Sequence, residues 1–184
     1  MASALVPLAP GFEDIEAVTI IDVLRRGGVE VVTASVSGSL DVEASHGLKA
    51  KADALFEDVA GRDFDAIVLP GGMPGTSNLG EFRPLIEKLS SQISSGRLVG
   101  AICAAPTILC NEGLLDKDVH VTCYPSCGVE LDRPCANVPV VADGNVITGQ
   151  APGSAMLFSL VVLRHLAGDQ VAGRVASGLV TDVL

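Results

Sequence analysis

The stretch LVGAICAAPT at residues 98–107 decides the fold, because an apolar run ends abruptly at a cysteine and small residues follow it. The pattern predicts a buried strand that turns sharply into a helix at Cys103. Ala101 and Ala105 leave room for that turn, which is the geometry that presents a nucleophile at the edge of an α/β sheet. A helix start would also favour the thiolate. A second interpretation stays open, in which Cys103 packs as a small hydrophobic side chain.

Strands and helices alternate on both sides of this stretch. The apolar runs predict buried strands at residues 4–8, 29–34, 66–69, 98–102 and 119–123, and hairpins at 40–52 and 138–148. Amphipathic spacing and capping signals predict helices at residues 13–26, 82–94, 103–112, 155–166 and 169–180. This alternation predicts an α/β sandwich, with a mostly parallel central sheet and helices on both faces. We expect a single domain over residues 1–184.

Composition narrows the class of protein. The chain has 184 residues, 48% of them hydrophobic, which is enough for one domain with a full core. The net charge is -10 and the only basic pair is Arg25-Arg26, which argues against a nucleic-acid partner. No apolar run reaches the roughly 18 residues that span a bilayer. The start lacks the basic flank of a signal peptide, and five cysteines form no disulfide framework, so we expect free thiols in the cytoplasm.

A metal site is the alternative use of the later cysteines. Cys123, Cys127 and Cys135 follow one another, and His120 is the only nearby residue that could be a fourth ligand. The spacing lacks a Cys-x-x-Cys pair, which a zinc site of this kind usually contains. We therefore expect neither a metal nor a cofactor.

Three chemistry-bearing features follow strands that are predicted to be parallel. Carboxylates come after the first strand, Gly71 and Gly72 after the strand that ends at residue 69, and Cys103 after the central one. The carboxyl ends of such strands meet at one edge, where α/β sheets bind ligands. Glu16 could then hydrogen-bond the thiol, and the Gly72 and Ala104 N–H groups could hold an oxyanion. The alternatives are a solvated helix-face glutamate and a simple tight turn at the glycines.

The histidines give no clear partner for the thiol. A Cys-His hydrolase needs an imidazole beside the sulfur, but the residue after Cys103 is Ala104. His46 lies in a predicted turn and could reach a pocket, although such turn residues are usually exposed. His120 falls in a predicted strand and His165 on a helix surface. The pattern disfavours a peptidase.

The motifs taken together resemble a known family. APGFEDIEA at residues 9–17, VLPGG at 68–72, AICAAP at 101–106 and Pro152-Gly153 resemble the ThiJ/PfpI superfamily, and fit best its protein-deglycase branch. The resemblance covers about residues 4–180. It implies a flavodoxin-like sandwich and a homodimer with the active site near the interface.

The resemblance also implies roles for single residues. Cys103 would be the reactive cysteine, ionised and easily oxidised to a sulfinate. Glu16 matches the family's protonated glutamate, and Gly72 and Ala104 match the positions whose N–H groups point at the reacting oxygen. Family members are glutathione-independent glyoxalases, deglycases acting on methylglyoxal- and glyoxal-derived adducts, and oxidative-stress sensors or chaperones.

Two positions depart from the family pattern. Tyr124 stands where the branch often carries a histidine near the cysteine, and a phenol with a pKa of about 10 is a poor proton shuttle at neutral pH. His46 stands where relatives have an arginine in the hairpin. Ala104 separates the chain from the protease branch, which has a histidine there.

With the resemblance, these observations predict a cytoplasmic, cysteine-dependent enzyme, and the resemblance implies that it detoxifies small reactive dicarbonyls or their early glycation adducts. Cys103 and Glu16 would be catalytic, and Gly71, Gly72, Ala104, Tyr124, His46 and Pro152 would line the substrate site. The alternative is a redox sensor or chaperone that works through oxidation of Cys103 with little catalysis.

Overall fold

The computed structural model describes residues 1–182, apart from the side chain of Glu130. Its strands are β1 (Ser3–Leu8), β2 (Glu30–Ser35), β3 (Asp41–Glu43), β4 (Lys49–Lys51), β5 (Ala54–Leu55), β6 (Ala66–Leu69), β7 (Leu98–Ile102), β8 (Val140–Asp143) and β9 (Val146–Gly149). Its α-helices are α1 (Asp14–Arg26), α2 (Phe56–Val59), α3 (Gly75–Glu81), α4 (Arg83–Ser94), α5 (Pro106–Asn111), α6 (Ala155–Ala167) and α7 (Asp169–Gly178). Two 3-10 turns lie at Cys127–Glu130 and Pro152–Ser154.

Seven strands form the central sheet in the order β5-β2-β1-β6-β7-β9-β8. All neighbours pair in parallel except β8, which is antiparallel to β9 at one edge. Without the short β5 and the β8 edge, the order of the parallel strands is 2-1-3-4-5, which is the flavodoxin-like doubly wound order. The predicted α/β sandwich is confirmed.

Helices cover both faces of the sheet, because its central strands are apolar on both sides. Ala4, Val6 and Leu8 of β1 join the core beneath α1, α6 and α7, whereas Leu5 joins the core beneath α3, α4 and α5. This two-residue alternation is what a pleated strand imposes. Every α-helix among the described residues is too short or too polar to cross a membrane.

Helix α1 is rotated relative to the sequence-based expectation. A helix oriented by apolar spacing alone would bury Ile15 and Val18, but these side chains are 58% and 50% exposed. The buried face instead contains Glu16, Ala17, Ile20, Val23 and Leu24. The rotation brings a carboxyl group to the sheet edge and leaves two aliphatic side chains in solvent.

The predicted strand at residues 119–123 is wrong. Only Val121 forms a bridge, to Cys135. The Thr122 N–H donates to the Thr148 side-chain oxygen at 2.9 Å instead of to a strand backbone, so the ladder does not continue. Both predicted hairpins are present, as β3-β4 and β8-β9.

Candidate active site

Cys103 lies directly after β7 in a strained backbone conformation. Its φ is 64°, a left-handed value that costs a non-glycine residue roughly 1–2 kcal/mol. Two backbone hydrogen bonds hold it there: the Cys103 N–H donates to the Gly149 carbonyl of β9 at 2.9 Å, and the Tyr124 N–H donates to the Cys103 carbonyl at 2.7 Å. The predicted sharp turn is therefore present. Strain of this kind at a cysteine motivates a functional interpretation.

The helix after the turn begins later than the sequence suggested. Helix α5 starts at Pro106 and has six residues, so Cys103 precedes the helix instead of opening it. The thiol receives a backbone hydrogen bond from Ala104 and another from Gly72. Local N–H donors therefore polarise the sulfur, in place of the helix dipole that the sequence suggested.

Glu16 lies fully buried beside this thiol. Its Oε2 accepts a hydrogen bond from the Gly71 N–H at 2.8 Å, and its carboxyl group interacts with the Cys103 side chain. Its Oε1 is buried and has no hydrogen-bond partner within residues 1–182. Glu13 caps the helix, with its Oε2 accepting the Glu16 N–H at 2.7 Å, and so fixes the rotation of the first turn.

Burial shifts the protonation of both groups toward neutrality. It raises the pKa of Glu16 to about 7, an effect opposed by the Gly71 hydrogen bond. Burial, followed by the charge and hydrogen bond of Glu16, raises the pKa of Cys103 to about 12, whereas the Gly72 and Ala104 N–H groups lower it. Two of the causes that raise the cysteine pKa vanish when Glu16 carries the proton. Protonation of Glu16 therefore favours a thiolate at Cys103, while burial, the largest cause, still raises the cysteine pKa.

Gly71 and Gly72 are required by space as well as by backbone conformation. A Cβ atom on Gly71 would lie 2.7 Å from the Cys103 Cβ and 2.9 Å from Glu16 Oε2, so it would separate the pair. Gly72 has a φ of +88°, and a Cβ atom there would lie 2.4 Å from the Glu13 backbone nitrogen. The glycines allow the β6 edge to approach both α1 and Cys103.

Replacing Gly72 by alanine should destabilise the fold by about 3 kcal/mol, the sum of left-handed strain and backbone overpacking. Gly28→Ala is the matched control, because Gly28 also has a positive φ, +77°, but nothing lies within 4 Å of a Cβ atom there. We expect it to cost only about 1 kcal/mol. Denaturant unfolding measures both free energies. Equal losses in the two variants would contradict the close approach at Gly72.

The remaining predicted residues lie around the site or beyond it. Tyr124 contributes its backbone N–H to the Cys103 carbonyl, and its side chain is 44% exposed. Pro152 opens the turn that follows β9, three residues after Gly149. The His46 ring is exposed and bonds Asp14 at 3.2 Å, so the hairpin binds to the start of α1 through it. The structure brings Cys103 together with the Glu16 carboxyl group and with the backbone of the glycine pair and Ala104.

One cluster of side chains near the start of α1 offers possible metal ligands. Within residues 1–182, one group of three His, Cys, Asp or Glu side chains has ligand atoms within 4.8 Å of one another: Glu13, Asp14 and His46. Both carboxylates already serve other donors, Glu13 as the helix cap and Asp14 as acceptor of the His46 and Leu48 N–H groups. His120 bonds Asp143 at 3.0 Å.

A groove between α3 and α5 reaches Ala104, the residue that follows Cys103. It encloses about 400 Å³ and is lined by residues that include Met73, Thr76, Ala104, Thr107 and Cys127. Its size suits a small molecule next to the Ala104 backbone.

Two residues that shape the site, Gly149 and Glu13, were not predicted from the sequence. Gly149 supplies the carbonyl that fixes the Cys103 backbone, and no local pattern reveals a contact between strands so far apart in sequence. Glu13 adds a negative charge that raises the Glu16 pKa and also caps the helix. The Glu-x-x-Glu spacing was a usable signal for the cap, since an N-cap side chain accepts from the third residue of its helix.

Comparison with known proteins gives consistent matches. The family model of the DJ-1/PfpI family matches residues 2–165. The chain is 41% identical over 179 residues to Protein DJ-1 homolog B of Arabidopsis thaliana, covering 96% of this chain and 41% of that longer relative. It is 37% identical over 172 residues to glutathione-independent glyoxalase DJR-1.2 of Caenorhabditis elegans, covering 91% of this chain and 90% of the relative. The structure of oxidized Toxoplasma gondii DJ-1 superimposes with a TM-score of 0.95 at 35% identity, covering 99% of this chain and all 100% of that one.

Proposed function

Since the chain belongs to the DJ-1/PfpI family, we propose that it detoxifies small reactive dicarbonyls or their early glycation adducts without glutathione. The observation that carries the proposal is the pairing of Cys103, held at a φ of 64°, with the buried Glu16. A relative of this chain bears the name glutathione-independent glyoxalase.

The mechanism follows from the contacts of the pair. With the proton on Glu16, the Cys103 thiolate attacks the aldehyde carbon of methylglyoxal and forms a hemithioacetal. The Gly72 and Ala104 N–H groups, which now bond the sulfur, are placed to hold the developing alkoxide. Glu16 returns a proton, and then relays the proton that moves from the former aldehyde carbon to the neighbouring carbon. Water hydrolyses the resulting thioester, which releases lactate and regenerates the thiol.

Deglycation begins with a bond between the same two atoms, the Cys103 sulfur and the former aldehyde carbon of the dicarbonyl. In an adduct with an amine or a thiol, this carbon is transferred to the Cys103 sulfur as its bond to the adducted group breaks, and that group leaves repaired with a proton. The hemithioacetal then rearranges to a thioester, and its hydrolysis releases lactate or glycolate and regenerates the thiol. The groove beside Ala104 is open enough for a small adduct to enter. Tyr124, whose backbone N–H binds the Cys103 carbonyl, carries an exposed phenol where relatives often have histidine.

The proposal includes a second copy of the chain and a cytoplasmic location. Ile15 and Val18 on α1 are exposed aliphatic residues next to the buried Glu16, and such a patch suits a symmetric contact near the site. Cys103, Cys110, Cys123 and Cys135 are free thiols in the structure, as a reducing compartment favours.

A redox role is the second function that an observation favours. The N–H donors at Cys103 would also hold the oxygens of a sulfinate, and the similar Toxoplasma gondii protein has a structure in oxidized form. In this case Cys103 would take up two oxygen atoms under mild peroxide while dicarbonyls remain almost unconverted.

The test is a glutathione-free assay of the purified chain. We expect methylglyoxal to disappear over many turnovers, with one lactate formed for each molecule consumed. Methylglyoxal consumption and lactate formation are measured together, because chemical trapping by protein side chains also removes methylglyoxal. If methylglyoxal consumption stops near one equivalent per chain and no lactate forms, the result would contradict the proposed enzymatic activity and favour the redox role.

A further inference from the structure

Two neighbouring thiols, Cys123 and Cys135, lie outside the proposed catalytic machinery. The Sγ atoms of Cys123 and Cys135 are 2.7 Å apart, and both cysteines are free. A disulfide bond is about 2.05 Å long, so the sulfurs need only a small displacement to bond. Cys123 is almost fully buried, whereas Cys135 is partly exposed.

The backbone holds these cysteines together independently of their side chains. Val121 forms a bridge with Cys135, and the Ala136 N–H donates to the Val121 carbonyl at 2.8 Å. The Thr122 hydroxyl lies 2.7 Å from the Ala136 carbonyl, which adds a second contact between the segments. The pairing is therefore built into the chain path and does not depend on a chance rotamer.

A glycine keeps the space above the pair clear. A Cβ atom on Gly128 would lie 2.9 Å from the Cys135 Cβ and 3.3 Å from each of the two sulfurs. The 3-10 turn that contains Gly128 therefore packs directly on the thiols. Any larger residue at this position would press on them.

We propose that Cys123 and Cys135 form a redox modification site, in which peroxide converts the two thiols into an intramolecular disulfide. Cys135 sulfur attacks one peroxide oxygen, the O–O bond breaks, and water leaves with the sulfur oxidised to a sulfenic acid. Cys123 sulfur then attacks the Cys135 sulfur, which forms the S–S bond and expels the hydroxyl oxygen as a second water. One hydrogen peroxide is reduced for two thiol hydrogens removed.

Accessibility assigns the order of the two steps. Cys135 is the partly exposed member of the pair, so peroxide reaches it first. Burial, together with the neighbouring thiols, raises the pKa of Cys123, which makes it a poor first attacker. Its position against Cys135 instead suits the resolving step.

The disulfide would act on the segment that contacts the active site. The ring it closes spans residues 123–135 and contains Tyr124, whose N–H binds the Cys103 carbonyl at 2.7 Å. The Tyr124 carbonyl in turn accepts the Cys127 N–H at 2.9 Å and so starts the turn over the thiols. Oxidation thus fixes the rim of the site without using Cys103.

The experiment uses the Cys103→Ala chain, so that its result does not depend on the proposed catalytic function. The protein is treated with hydrogen peroxide, alkylated and weighed intact. We expect a loss of two hydrogens and two fewer alkylated thiols than in the untreated chain. Cleavage before aspartate separates residues 118–131, with Cys123 and Cys127, from residues 132–142, with Cys135. The two peptides should remain joined until a reductant is added, and fragmentation should assign the link to Cys123.

Two variants in the same background give the controls. Cys135→Ser, at a partly exposed position that tolerates a hydroxyl, should prevent the loss of two hydrogens. Cys110→Ser should leave the link unchanged, although Cys110 lies near enough for Cys135 to affect its pKa. A link to Cys110 or Cys127, a link between two chains, or oxygen uptake without a link would each overturn the proposal.

Discussion

Cys103→Ala should abolish methylglyoxal turnover and lactate formation, with kcat/KM falling by about 10³–10⁶-fold, as expected when a covalent nucleophile is removed. The methyl group of alanine keeps the Cβ atom and the backbone conformation but provides nothing that bonds to the aldehyde carbon. The Gly72 and Ala104 N–H groups remain, so residual activity should reflect oxyanion stabilisation alone.

Cys110→Ala is the matched control for this variant. Cys110 is also buried and lies on α5, seven residues further along the chain, but it packs in the core beneath that helix. The control should retain wild-type turnover even though it loses a similar volume of core. Activity that survives in Cys103→Ala, or falls equally in both variants, would remove Cys103 from the mechanism.

Glu16→Gln should lower kcat/KM by about 10²–10⁴-fold, the range typical of general acid–base groups. The amide preserves the shape of the side chain and can accept the Gly71 N–H, but it cannot transfer a proton to or from the substrate. Glu30→Gln serves as control, because Glu30 is exposed and pairs with Arg62 at 2.7 Å. Unchanged turnover in Glu16→Gln would contradict the assigned proton relay.

The same variant tests the protonation of Glu16 through stability. Its pKa is raised in the folded state from 4.5 to about 7, so the folded chain binds the proton more tightly than the unfolded chain between these values. Wild type should therefore lose about 3 kcal/mol of unfolding free energy from this group as pH rises from about 4.5 to 7. Glu16→Gln should lack that loss, and unfolding at several pH values would show it. Parallel curves would contradict the raised pKa.

The sheet and the cysteine turn could be predicted because their signals are local. Residues 98–107 contain an apolar strand, a cysteine and small residues in direct succession, and the first half of the chain alternates clearly between strand and helix. Because these strands are parallel, their carboxyl ends then lie at one edge of the sheet.

The direction of Glu16 could not be predicted from hydrophobicity. Ile15 and Val18 are more apolar than Glu16, so a helix oriented by apolarity alone would bury them. The rotation is set instead by the Glu13 cap and the Gly71 N–H, one at the helix start and the other on a distant strand end. Its place after the first strand made Glu16 a candidate partner of the thiol, and the family resemblance added the role of a protonated glutamate.

At residues 119–123 the sequence pattern predicts a strand that does not form. Its β-branched residues satisfy a strand pattern, but a strand needs a partner along its whole length. Only Val121 finds one, and the Thr122 N–H binds a side chain instead. The Cys123–Cys135 contact that results joins residues twelve apart, and no spacing rule predicts it.

The two edge strands of the central sheet, β5 and β8, affect the solubility of the protein at high concentration. An open edge offers unpaired N–H and C=O groups to strands of other molecules, which is a route to aggregation. Here one edge strand, β5, has only two residues and continues at once into α2, so it offers almost no template. At the other edge, β8 follows Pro139, which has no N–H to donate. The chain should therefore resist edge-to-edge polymerisation, although its central strands are almost entirely apolar.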